Sequence, residues 1–583
     1  MSLSSNKIIK RRHADLAAAH FQTPLPPILQ RIYVARGIAN DELLQMRLDR
    51  LQKPENFKGL TTAVDLLANA VCRQQRVLII GDFDADGATS CALAVLALKA
   101  MGLQSVDYLV PNRFEFGYGL TPEIVAVAAG RKPDILITVD NGISSIDGVA
   151  AANERHMQVI VTDHHLPGVT LPDAAAIVNP NQHGCDFPSK NLAGVGVIFY
   201  VMSALRTTLR ERHWFVDQRI QEPNMADYLD LVAVGTVADV VPLDFNNRVL
   251  VHQGLQRIRA GRSRLGITAL LEVAGRQPHN LVAADLGFVI GPRLNAAGRL
   301  DDISLGIQCL MCDSAGLARE MALELDDLNR DRKAIESSMQ QEALQSLKEL
   351  HLNDAAELPW GLCLYDPNWH QGVIGILASR IKDRIHRPVI AFADADNGEI
   401  KGSARSIDSL HIRDALDEVA TQYPYLLNKF GGHAMAAGLT IQRRYLEEFQ
   451  RAFDAVVKQK LTTSDLQAEL LSDGELLEDE MSLTLAQALR DAGPWGQHFP
   501  EPLFDGEFCV VQQRLVGDKH LKLVLSVSEQ SQIIFDAIAF NVDVEYWPNN
   551  EVKKVKIVYR LDINEYRGRS TLQLVVDYLE AVA

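Results

Sequence analysis

The chain has 583 residues, 47% of them apolar and 23% charged, which is too long for one hydrophobic core and ordinary for soluble globular domains, so two to four domains are expected. No apolar run reaches the roughly 18 residues that span a bilayer, and the basic N-terminus has no apolar core behind it, so neither a membrane segment nor a secretory signal is expected. A formal net charge of −16 excludes a uniformly basic surface, while a local basic groove beside clustered acids remains compatible with it.

In chain order, residues 1–50 read as a helical segment with loops, broken by TPLPP at 23–27. The pattern then changes. VLIIG (77–81), ILITVDNG (135–142) and VIVTDHH (159–165) are short β-branched runs ending in acids or histidines, separated by Ala-rich helical stretches. That alternation is βαβ spacing and predicts an α/β unit with a parallel sheet, running to about residue 300. Cys309 and Cys312 form a CxxC within a helical run and are read as core packing, and the seven scattered cysteines as reduced thiols in a cytoplasmic protein. A charged, proline-free stretch at 314–351 predicts one long, solvated connecting helix. A second α/β unit follows, then an acidic stretch at 465–480, then β-type runs such as LKLVLSV and VKIVYRLDINEY that predict a C-terminal OB-type β-barrel.

The residues with chemistry gather at strand ends. GDFDADG places Asp82, Asp84 and Asp86 directly after a buried strand, where three carboxylates repel unless cations neutralise them. Hard oxygen ligands at this density suit Mg²⁺ or Mn²⁺. An EF-hand is excluded because its twelfth position is Leu93, and a P-loop because no Lys-Ser/Thr follows. Asp140, the Asp163-His164-His165 triplet and Asp239 in GTVADVVPL complete six carboxylates and two imidazoles from four segments, enough for two divalent ions. Small-residue loops carrying cations are read as phosphate binders: Arg113, then Arg293, Asn295 and Arg299 in GPRLNAAGR, His370 and Arg380 in HQGVIGILASR, Ser403 and Arg405 in GSARS, and Gly432 and His433 in FGGH. Phe114, Phe116 and Tyr118 could stack on bases or pack a core. In the last region Lys519, Lys522, Arg560, Arg567 and Arg569, interspersed with Tyr559 and Tyr566, read either as a strand-binding groove or as solvated strand faces.

In order and spacing, GDFDADG, VDNG, TDHH and GTVADVVPL resemble the DHH phosphoesterase superfamily, and GPRLNAAGR with HQGVIG, GSARS and FGGHAMAAG is similar to its bacterial single-strand-specific DNA exonucleases. The resemblance implies a DHH catalytic lobe at 51–312, a connecting helix at 313–355, a DHH-associated substrate-binding lobe at 356–460 and the OB-type domain at 465–583. It implies two Mn²⁺ or Mg²⁺ ions on Asp82, Asp84, Asp86, Asp140, His164 and Asp239, with His165 touching the scissile phosphate and Asp163 and Arg299 as further catalytic residues. It implies 5′-to-3′ release of 5′-mononucleotides from single-stranded DNA threaded between the lobes, in repair and recombination. The expected partners are single-stranded DNA, with a single-strand-binding protein and a repair helicase, for a monomer that touches no membrane. Three other readings share these residues: a DHH phosphodiesterase of short oligonucleotides or cyclic dinucleotides, an inorganic pyrophosphatase, and an inactive DNA-binding scaffold.

Overall fold

The computed structural model describes residues 7–111, 119–349, 358–566 and 568–582. They fall into two units, Asp15–Asn329 with Arg490–Glu501, and Met1–Ala14 with Arg330–Leu489 and Pro502–Ala583. The strands begin with β1 (Ile8–Arg11) of the second unit. They continue in the first as β2 (Val77–Gly81), β3 (Val106–Leu109), β4 (Ile135–Val139), β5 (Gln158–Thr162) and β6 (Ala176–Val178).

β2 to β6 form a parallel sheet in the order β3-β2-β4-β5-β6. β2 and β4 are buried at every residue, as strands covered by helices on both faces must be, which is why VLIIG and ILITV read as unbroken apolar runs. The chain steps outward from β2 to β3 and returns past β2 to β4. At such a reversal the crossover helices diverge and leave a crevice beyond the carboxyl ends of the strands. The sheet does not extend to residue 300: after β6 the described residues of this unit hold no further strand, and Gly194 to Met311 are largely helical. Leu229–Ala238 is buried without interruption from Leu229 to Thr236, so it is a central helix. An apolar run without alternation does not reveal its period, which is why it passed for sheet.

The second unit's sheet contains β7 (Leu362–Tyr365), β8 (Val389–Asp394), β9 (Glu399–Arg405), β10 (Lys429–Gly432) and β11 (Ala436–Gln442), in the order β10-β11-β9-β8-β7. Phe392, Phe449 and Phe453 are fully buried beneath it. The expected long helix is present as Ala315–Glu349, but it is not simply solvated: Ala318, Ala322, Leu325, Met339 and Ala343 are buried along one side.

The N-terminal segment departs from expectation. Its one described α-helix of regular length is Pro27–Val34, and β1 pairs in parallel with β12 (Glu469–Ser472), Ile8 opposite Glu469. Arg11 reaches the buried Asp505 at 2.8 Å. A four-residue strand whose partner lies so far along the chain leaves no local signature.

β13 (Phe504–Val516), β14 (His520–Ser526), β15 (Phe535–Ala539), β16 (Lys554–Tyr566) and β17 (Arg569–Val582) close into a barrel. Tyr559 is not a groove residue: it is 1% exposed and packs edge-on against Phe508 at 5.6 Å in the barrel core. Lys522 pairs with Asp536 at 3.4 Å and Arg560 with Asp577 at 2.9 Å, as residues of solvated strand faces do. Arg567 and the side chain of Tyr566 lie outside the described residues.

Phe449 meets Phe392 edge-to-face at 5.7 Å and lies parallel to Phe453 at 6.1 Å. Phe449→Ala is expected to destabilise the second unit by about 3–5 kcal/mol, the cost of emptying a closed aromatic site, read as a lowered urea midpoint.

Candidate metal centre

Strand register places the acids. Gly81 lies opposite Val139, and Val139 opposite Thr162. Asp82, Asp140 and Asp163 are therefore the next residues on three adjacent strands, about 4.8 Å apart from strand to strand. Asp82 and Asp140 stand on either side of the reversal in strand order. Asp140 adopts φ +61, a left-handed conformation uncommon outside glycine, and its N–H still donates to Thr162 O at 3.1 Å. The chain thus turns sharply while the side chain stays in the crevice. Asp84 caps the helix Ala85–Ala100, its Oδ1 accepting from the N–H groups of Asp86 and Gly87 at 3.0 Å each. Asp86 lies within the first turn of that helix, 1% exposed, and accepts from Gly194 N at 2.6 Å and Val195 N at 2.9 Å. Asp239 is the C-cap of Leu229–Ala238.

Donor atoms of Asp82, Asp84 and Asp140 lie within 4.8 Å of one another, as do those of Asp86, His164 and Asp239, and those of Asp140, His164 and His165. His164 Nε2 is 3.1 Å from Asp140 Oδ1 and 3.4 Å from Asp239 Oδ2. His164 Nε2 and Asp239 Oδ2 are buried, yet neither completes a hydrogen bond. A buried imidazole nitrogen facing two carboxylates without bonding to either fits a shared cation. Electrostatics point the same way. Burial, then repulsion from Asp239, raises the Asp86 pKa to about 7. Burial, then Asp84, raises Asp239 to about 8. Burial and four neighbouring acids hold Asp140 well above the carboxylate range. A divalent ion relieves that repulsion. The oxygen-rich donor set with one imidazole suits Mg²⁺ or Mn²⁺ chemistry.

The adjacent histidines have different surroundings. Asp163 Oδ1 accepts from His164 N (2.7 Å) and His165 N (3.0 Å) and lies 2.7 Å from His165 Nδ1, while Oδ2 accepts from Ile143 N (2.9 Å). Asp163 is thus an anchor for both histidines, its oxygens already engaged, rather than a group facing substrate. Burial alone would lower the His165 pKa, but the hydrogen bond and charge of Asp163 outweigh it and push it up to about 9. Burial, then the charge of His165, lowers His164.

Several supporting residues escaped the sequence reading. Asn179 donates to His165 O at 2.9 Å and Asn181 to His164 O at 2.6 Å, so the NPN turn at 179–181 grips the histidine pair. A Cβ on Gly194 would stand 2.6 Å from Asp140 Cβ, and one on Gly235 would stand 2.8 Å from Asp86 Oδ1. Glycine in the AGVGV and AVGTV runs was the available signal, but only the packing shows what it faces.

The expected phosphate binders divide. Arg113 and Tyr118, with Phe114 and Phe116, lie outside the described residues. Asn295 Oδ1 accepts from Ala85 N at 2.7 Å, holding the first acid motif, and Arg299 follows one turn later on the same helix, half-buried. Arg293 is committed elsewhere, to Asp326 at 2.7 Å and Val289 O at 2.7 Å. In the second unit Arg380 pairs with Glu336 at 2.9 Å. Ser403 and Arg405 remain together: Arg405 Nη1 donates to Ser403 Oγ at 3.0 Å and Ala404 O at 2.8 Å, and burial lowers its pKa. A Cβ on Gly375 would stand 2.8 Å from Arg405 Nη2, so the first turn of Ile374–Ile385 lies against this pair. His370 Nδ1 accepts from Gly372 N at 3.1 Å just ahead of that turn. Gly432 (φ +148) and the exposed His433 form the β10–β11 hairpin, whose Ala436 lies opposite Arg405.

Comparison with known proteins agrees with this anatomy. The chain matches the DHH family N-terminal domain over residues 76–236, the DHHA1 domain over 360–459 and the RecJ OB domain over 472–578. It is 55% identical over 575 residues to the single-stranded-DNA-specific exonuclease RecJ of Salmonella typhimurium, covering 99% of both chains. The chain belongs to the RecJ family. It is also 55% identical to RecJ of Escherichia coli, covering 98% of each chain. The crystal structure of RecJ in complex with Mn²⁺ from Thermus thermophilus superimposes with a TM-score of 0.80 at 29% identity, covering 100% of this chain and 80% of that one. A RecJ complex with Mg²⁺ from the same organism gives a TM-score of 0.73 at 28% identity, over 96% of this chain and 75% of that one.

Gly194→Ala is expected to displace Asp140 and weaken divalent-cation binding by roughly tenfold or more, since the added methyl overlaps the Asp140 side chain. Calorimetric titration with Mn²⁺, beside a thermal melt, checks it.

Proposed function

We propose that this RecJ-family chain is a 5′-to-3′ exonuclease specific for single-stranded DNA, acting in repair and recombination and releasing 5′-mononucleotides by metal-dependent hydrolysis. The observation that carries the reading is the convergence of carboxylates from separate segments at the switch point of one parallel sheet. Asp82, Asp84, Asp86, Asp140, His164 and Asp239 are the residues that would hold two Mn²⁺ or Mg²⁺ ions. Such ions lower the pKa of a water molecule and offset charge on a transferring phosphoryl group. The chain's own residues do the rest. Asp163 fixes the His165 ring through Nδ1, which leaves Nε2 to donate to a non-bridging phosphate oxygen. Arg299 adds positive charge on the side of the helix fastened to the first acid motif. Arg405 with Ser403, beside the start of Ile374–Ile385, offers a half-buried cation, a hydroxyl and helix N–H groups, a set suited to a phosphate of the strand. His370 and His433 are assigned to the same task. The barrel holds single strands away from the cut.

No helix among the described residues is long and apolar enough to cross a membrane. All seven cysteines are free thiols, which supports a reducing, cytoplasmic address. The family resemblance extends the reading to a monomer that works with a single-strand-binding protein and a repair helicase. The deciding experiment uses end-labelled single- and double-stranded DNA with and without Mn²⁺. Mononucleotide release from the single strand alone, and only with metal, is expected; release from blunt duplex at the same rate, or without metal, overturns the reading.

Asp140→Ala is expected to lower turnover roughly a hundredfold or more while leaving single-strand affinity largely intact, because phosphate contacts outside the acid cluster remain. Single-turnover cleavage beside filter binding separates the two. The wild type is expected to prefer a 5′-phosphorylated over a 5′-hydroxyl strand, and Arg405→Ala to lose about 1.5–3 kcal/mol of that preference, the range for a hydrogen bond to a charged group. Paired kcat/KM values on the two strands measure it.

A further inference from the structure

The helix that carries Asn295 and Arg299 starts irregularly. Leu286–Ile290 forms a π-helical turn that runs directly into Gly291–Leu300. Such turns add a residue to the helix circumference and occur often at functional positions. Phe288, inside this turn, is 81% exposed, more than any other aromatic side chain among the described residues.

The turn is held at both ends. A Cβ on Gly287 would stand 3.2 Å from Val237 Cγ1, and one on Gly291 would stand 3.1 Å from Ala238 Cβ, so the turn lies on the residues that lead into Asp239. Val237 O accepts from Val240 N at 3.3 Å. Val240 is itself 64% exposed and has φ +61, a strained conformation for a β-branched residue. At the far end, Asn295 Oδ1 takes the Ala85 N–H, and a Cβ on Gly298 would stand only 1.8 Å from Phe83 O. One rod therefore rests on the first acid motif at one end and on the Asp239 segment at the other. An exposed phenyl ring and an exposed isopropyl group project from the Asp239 end.

We infer that Phe288 stacks on a nucleobase of the strand being cut, with Val240 as an apolar edge beside it; this rests on the exonuclease reading above. The occupant is a base because a single exposed ring offers a flat apolar face but far less area than a protein interface needs. That face is also continuous with the segment that carries Asp239. Acids and histidines fix the sugar–phosphate backbone but leave the base unheld, and an aromatic face holds any base, as degradation of arbitrary sequence requires. Phe288 is thus a substrate-positioning residue whose loss acts through the base it touches.

The test pairs removal of the ring with removal of the base. Wild type, F288A and F288W are assayed for kcat/KM on 5′-phosphorylated single strands, either intact or with one abasic nucleotide stepped through the first five positions. On wild type, one abasic position is expected to lower kcat/KM by roughly 5- to 150-fold, the range for loss of one stacked base. F288A is expected to show a similar loss on the intact strand, mainly in KM, with no further loss at that position; F288W is expected to restore both the rate and the sensitivity. The proposal is overturned if F288A equals wild type on intact strands, or if F288A keeps the wild-type abasic profile at a uniformly lower rate. Failure of the wild type to release nucleotides from any strand would instead remove the exonuclease reading, and this proposal with it.

Discussion

Carboxylates packed side by side in a low-dielectric crevice repel one another, and the first unit is organised around creating and then containing that repulsion. Parallel strands in register deliver Asp82, Asp140 and Asp163 to one line, and the reversal of strand order leaves the space beyond them open. Asp86 and Asp239 arrive from helices that are buried on nearly every side, Asp86 out of reach of solvent and Asp239 half-buried at the helix end. The raised pKa values of Asp86, Asp140 and Asp239 express the cost. Fixed donors offset part of it: Asp84 takes two helix N–H groups, Asp86 takes those of Gly194 and Val195, and Asp163 takes three backbone N–H groups and an imidazole. The remaining charge is what makes a divalent cation the natural occupant.

The same principle sorts the arginines. In a chain with 74 acidic and 58 basic residues, carboxylates are plentiful partners for guanidinium groups. Arg293 and Arg380 do so and are thereby fixed within their own units. Arg405 instead donates to a hydroxyl and a carbonyl, and among the described residues burial acts on its charge without an acid beside it. A cation neutralised by nothing charged is the one suited to an anionic ligand. Neither the sequence spacing nor the net charge distinguishes Arg380 from Arg405; their neighbours do.

What could be read in advance follows from how local each cause is. VLIIG and ILITV are buried on both faces, so composition alone marks them as strands of a covered sheet, and the acids that follow are marked by their cost. The helical half of the first unit was not legible as such, because Leu229–Thr236 is buried on every side and its apolar residues lack a period. Asp163 looked like a reacting group beside two histidines; only the donors from Ile143, His164 and His165 reveal an anchor. Tyr559 stands beside Arg560, yet it belongs to the buried row of Val555, Ile557 and Leu561 on the same strand and packs inward against Phe508. Gly194, Gly235, Asn179 and Asn181 act through partners distant in sequence, and a single chain read by itself does not show partners.

The parallel pairing of β1 with β12 has a consequence for biosynthesis. Lys10 and its partner Glu469 are 459 residues apart, so β1 is made long before the strand it pairs with. At roughly 5–20 residues per second, a ribosome needs about 25–90 s to supply the missing partner. Throughout that interval Ile8 and Ile9 offer an unpaired edge to any neighbouring nascent chain. The Lys10-Arg11-Arg12 run that follows them makes such pairing self-repelling, a common way of guarding a strand edge. Charges that end as ion pairs with Glu469, Glu475 and Asp505 thus first serve as a temporary guard, discharged only when the last third of the protein has emerged.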